Sequence, residues 1–158
     1  MKNNPLWVDP FRRIAGAQAL LYGLIGMVAS LIISLLTNYH YHGLLHFGSA
    51  PNNSEYVFIA EHLVVWLIPA TLFYLCGLFF SRSKIRFIDV YGTVSFALLP
   101  LLPLQLISII PGFNDLLRDP IGGVMLAMFP LTICAWMLIW LFDSLKVSCN
   151  LKGSRGYG

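Results

Sequence analysis

The chain has 158 residues, 58% of them hydrophobic and 11% charged, with a net charge of +3. With a mean hydropathy of +0.74 it has too little polar surface to cover a water-soluble globule of this size. It carries no basic patch for nucleic acid, and its three cysteines form no extracellular disulfide framework, because Cys76 and Cys134 fall in apolar runs and Cys149 in the tail.

Leu6 and Trp7 are suited to the headgroup level, and Asp9 followed by Pro10 reads as an N-cap and first helical residue. The first apolar run, about residues 14–37, is too long for a secretory signal and lacks a small-residue cleavage site, so it reads as a retained span. Small residues recur along it at Ala15, Ala19, Gly23, Gly26, Ser30, Ser34 and Thr37. Their steps of three and four residues trace one stripe on a helix, a surface on which backbones approach closely in lipid. The stripe predicts packing against another span of the same chain or, as the alternative, a contact with a partner or a second copy.

Residues 38–56 form the longest loop of the face opposite the termini and contain His40, His42, His46 and Glu55. With Glu61 and His62 these histidines are weak candidates for a zinc or nickel site, since imidazole and carboxylate suit those ions but the spacing fits neither a strand nor a helix throughout. Asn52-Asn53-Ser54 matches a glycosylation sequon of low specificity.

The second run spans about residues 57–80. Glu61 and His62 lie inside it and are the candidate polar or ion site, although Glu61 is only about 6 Å along the helix from the start of the run and within reach of water. Arg82, Lys84 and Arg86 separate this run from the third, about residues 91–110, where Pro100 and Pro103 predict a kink. The fourth run, about residues 120–142, begins with a proline after Asp119 and has Pro130 near its centre. Gln18, Ser95, Gln105 and Ser108 read as hydrogen-bonding groups between helices.

A bilayer core about 30 Å thick needs about 20 helical residues, so all four runs are long enough to cross. Nine of the ten Lys and Arg residues then fall on one face, with Arg118 alone on the other, which places both termini in the cytoplasm. The expectation is an all-α, polytopic membrane helix bundle with four transmembrane helices, forming a single domain over residues 1–158. No G-x-S-x-G, H-E-x-x-H, P-loop or intramembrane carboxylate pair is present, so the sequence supplies no basis for an enzyme or a cofactor.

Asp9-Pro10-Phe11-Arg12-Arg13-Ile14, the stretch from Ser81 to Thr93 with Leu99-Pro100, and the stretch from Phe142 to Gly153 resemble small bacterial members of the Yip1 family. The resemblance follows most of the chain in order through short motifs. It implies a helical multi-span protein of the bacterial inner membrane with a cytoplasmic N-terminus. Eukaryotic members are linked to vesicle traffic and small GTPases, a role that does not transfer to a bacterial cell. The family ordinarily has five spans, whereas the tail after Gly153 contains no apolar run for a fifth. The functional expectation is a non-enzymatic membrane protein that works by packing with lipids, other membrane proteins or its own copies; the alternative is a small transporter or channel subunit with a polar route near Glu61 and His62.

Overall fold

The computed structural model describes residues 10–41, 47–49, 54–81, 84–107, 109–110 and 120–149. A short 3-10 turn, Pro10–Arg12, precedes α1 (Gly16–Thr37); β1 (Tyr39–Tyr41) and β2 (Phe47–Ser49) follow, then α2 (Glu55–Phe80), α3 (Phe87–Ala97), α4 (Leu101–Ile107) and α5 (Pro120–Ser148). With α3 and α4 taken as one broken span, four helical segments among the described residues are long and apolar enough to cross a membrane. The protein is an all-α membrane bundle with one small β-hairpin at one end, its register pairing Tyr39 with Ser49, His40 with Gly48 and Tyr41 with Phe47. Asn38, at φ 55°, ends α1 in the left-handed region that Asn tolerates and turns the chain into β1.

The helix boundaries differ from the apolar runs at charged residues. α3 begins at Phe87, four residues before the run assigned from hydropathy, because Asp89 sits in its first turn, where an acid favours the helix dipole, and takes a two-pronged bond from Arg86. α5 continues six residues beyond Phe142, to Ser148, with Lys146 in the last turn complementing the carbonyl end. Hydropathy registers Asp143 and Lys146 as the end of a span, whereas a helix tolerates them once it reaches the interface.

The third span breaks where two prolines fall within one turn. Pro100 and Pro103 bring no N–H to the carbonyls of Phe96 and Leu99, four residues before each. Leu99 N–H donates instead to Phe96 O at 3.1 Å, and Leu102 N–H to Leu99 O at 3.0 Å, so the chain tightens to 3-10 bonds and leaves neither carbonyl without a donor. Pro69 in α2 and Pro130 in α5, each with no second proline within a turn, leave their helices unbroken.

This third span is the centre of the bundle. Its most apolar window is 67% buried, against 28%, 22% and 28% for the first, second and fourth spans. α1 packs along it through the small residues: Gly16, Ala19, Gly23, Gly26, Ser30 and Ser34 are buried, while Leu21, Ile25, Val28 and Ile32 face outward. A Cβ on Gly92 of α3 would lie 2.5 Å from Gly16 O and 2.9 Å from Leu20 N, and one on Gly23 would overlap Ser95. From α2, Trp66 donates its indole N–H to Tyr91 O at 3.1 Å, and the hydroxyls of Thr71 and Tyr91 bond at 2.8 Å. On the α5 side, Ser144 donates to Thr93 Oγ1 at 2.8 Å and Trp140 stacks on Phe96, with Phe11 of the first turn edge-on to both rings.

Replacing Gly92 by Leu should therefore push α1 off α3 and cost about 1–3 kcal/mol or more, seen as a lower unfolding midpoint in detergent micelles. Ala15→Leu is the control: Ala15 is exposed, off the buried face, and its replacement should leave the midpoint within error.

Candidate functional site

Glu61 and His62 are neighbours in sequence, but successive helical residues point about 100° apart, and the two side chains meet different partners. His62 is buried and turned toward α1. Its Nδ1 lies 2.8 Å from Phe58 O, which only accepts, so Nδ1 carries the proton. In the neutral ring Nε2 then accepts from the Ser30 hydroxyl at 2.8 Å. The bond gives one polar stripe residue of α1 a role beyond small size.

Glu61 is turned to the hairpin. His40 Nδ1 lies 3.1 Å from each carboxylate oxygen, donating to both. The imidazole is completely buried and stacks on Phe58 at 4.0 Å between ring centres, so Phe58 carries His40 on its ring and His62 on its carbonyl. His40 thereby pins β1 to α2 through a contact 21 residues distant in sequence. His42 and His46 lie outside the described residues. Among the described residues no three His, Cys, Asp or Glu side chains come together as a metal set.

The remaining polar groups divide. Gln105 of α4 donates from Nε2 to Ser34 Oγ at 3.2 Å and joins α4 to α1. Ser95 bonds back to Gly92 O of its own helix at 2.8 Å instead of bridging, and Gln18 is exposed, so neither links helices in the way their polarity predicts. Ser108 lies outside the described residues. A mostly apolar cavity of about 30 Å³ separates α1, α2 and the broken span, bounded by Gly23, Gly26, Ser30, His62, Ser95 and Leu99. It lies beside the break in the third span, against Leu98, Leu99, Leu101 and Leu102. It is about large enough for two water molecules and too small for an organic substrate.

Cys149, just past α5, is buried and donates its thiol to Phe73 O at 3.3 Å, while Gly77 gives it room on α2. Burial pushes its pKa above the usual thiol range. The thiol is thus the neutral form throughout neutral pH, and this contribution to stability holds below the ordinary thiol pKa and is lost as pH rises through the raised one. Maleimide should label Cys149 slowly in the folded protein and quickly after denaturation, as followed by mass spectrometry.

Comparison with protein-family models, curated proteins and solved structures gives no match.

The Ser30–His62 bond is measurable by a double-mutant cycle with Ser30→Ala and His62→Phe in micelles. A coupling of about 0.6 kcal/mol, and at most about 1.7, is expected for a hydrogen bond between membrane helices. Ala15→Ser combined with His62→Phe should show none.

Proposed function

We propose that the chain is a non-enzymatic scaffold of the bacterial inner membrane, of the kind its resemblance to the Yip1 family suggests, with both termini cytoplasmic. It acts by packing its outer apolar surface with lipids, membrane-protein partners or further copies of itself. The observation that carries this reading is the division between the spans: the third is enclosed, and the other three present large apolar side chains outward. The small stripe of α1 is occupied within the chain, so partners meet the opposite face, where Ile25, Val28 and Ile32 stand exposed. Inside, the paired polar groups join helix to helix and hairpin to helix, which is a structural use of polarity.

The alternative, a small transporter or channel subunit with a polar route at Glu61 and His62, draws on the cavity beside His62. Against it stand the apolar walls of that cavity and the separate partners of the two residues.

Cysteines placed at Ser49, Ser83 and Ser154 test the orientation: Ser49 alone should react with an impermeant reagent applied to whole cells. A photo-crosslinking residue at Ile25, Val28 or Ile32 should capture lipid or a membrane partner, and one at buried Ser34 should not. Liposomes containing the purified chain should pass no proton or ion, whereas a flux lost in Glu61→Gln would replace the scaffold by the transporter reading.

A further inference from the structure

Where α1 begins, α2 passes to α3 and α5 ends, the bundle gathers its positive charge. Among the described side chains this end holds Arg13, Lys84, Arg86 and Lys146 against Asp89 and Asp143, while the hairpin end holds Glu55 and Glu61 and no Lys or Arg. The four cations whose side chains are described here, Arg13, Lys84, Arg86 and Lys146, are all exposed. Their pairing differs. Arg86 is forked onto Asp89 with two bonds of 2.9 Å and so is locally neutralised. Arg13 and Lys84 meet no acid among the described residues, and Lys146 holds its ammonium 4.6 Å above the Phe142 ring. A ring face attracts the cation without using its N–H donors on oxygen lone pairs, so those donors remain for another acceptor.

We propose that this end of the bundle binds the headgroups of anionic phospholipids. The inference deepens the reading of the chain as a lipid-packing scaffold by naming the lipid class. Phe79, Phe80, Phe87 and Phe142 are exposed at the same end, an apolar surface that acyl chains can cover beside the cations. The cations come from three separate segments, ahead of α1, between α2 and α3 and in the last turn of α5, a set that suits several headgroups of a leaflet. Phosphatidylcholine carries its own ammonium beside its phosphate, whereas phosphatidylglycerol leaves a net negative charge for the rim to attract.

The test uses the full chain in a neutral detergent, with retained short-chain phosphatidylglycerol or phosphatidylcholine counted by native mass spectrometry. Phosphatidylglycerol should be preferred, and the preference should fall roughly fivefold for each of Arg13→Gln, Lys84→Gln and Lys146→Gln and shrink as salt rises. Glu55→Gln, at the hairpin end, should leave it unchanged. All three replaced residues are on the surface, so an unaltered unfolding midpoint establishes that the variants fold. Equal retention of the two lipids, or a preference that survives the triple substitution, overturns the proposal. Displacement of phosphatidylglycerol by an equal concentration of inorganic phosphate also overturns it, in favour of a plain anion site. The measurement is made without a bilayer, so it is independent of the cysteine labelling and photo-crosslinking that test orientation and partners.

Discussion

Where α1 crosses α3, main chain meets main chain. Gly16 and Gly23 on one helix and Gly92 on the other have no side chain at the contact, and a single Cβ on Gly92 would run into the backbone of α1. Lipid tails are as apolar as leucine, so nothing drives these helices together by removing apolar surface from water. Dispersion contacts at close range, with a few hydrogen bonds, must hold them. Such contacts fade within a fraction of an ångström, and the small residues are what make the required fit attainable.

The enclosure of the third span follows from this. Once α1 lies close along α3, Ser30 and Ser34 are carried to the level of His62 and Gln105, and the bonds they form attach α2 and α4 to the same helix. On the far side, Thr93 and Ser144 repeat the device with α5. The double-proline break reshapes the same span without orphaning the carbonyls of Phe96 and Leu99, which lipid would make costly. The large side chains left over point away from this axis.

The hairpin end follows a different rule. His40 is wholly buried yet polar, and its carboxylate partner Glu61 keeps some contact with solvent. A histidine in a wet loop and an acid four residues into an apolar run suggest, read separately, a metal ligand and an ion-coupling group. Their contact fastens β1 to α2, while His62 turns to Ser30 of α1, because successive helical residues point about 100° apart.

The four spans were legible in the sequence, because in hydrocarbon the length of an apolar run acts through local helix geometry, whereas the stripe read from Ala15 differs at its start, where Ala15 is exposed and Gly16 is buried. The break at Pro100 and Pro103 was legible too, since a proline deletes its own N–H wherever it sits. The boundaries at Phe87 and Ser148 were less legible, because Asp89, Asp143 and Lys146 lower hydropathy without ending a helix. Tertiary structure alone decided which neighbour the stripe serves, that Ser95 bonds within its own helix while Ser34 bridges to Gln105, and that His40 belongs to Glu61. These pairings depend on the relative rotation of helices distant in sequence, and no local period encodes that rotation; it is set when close packing and hydrogen-bond satisfaction are met together across the whole bundle.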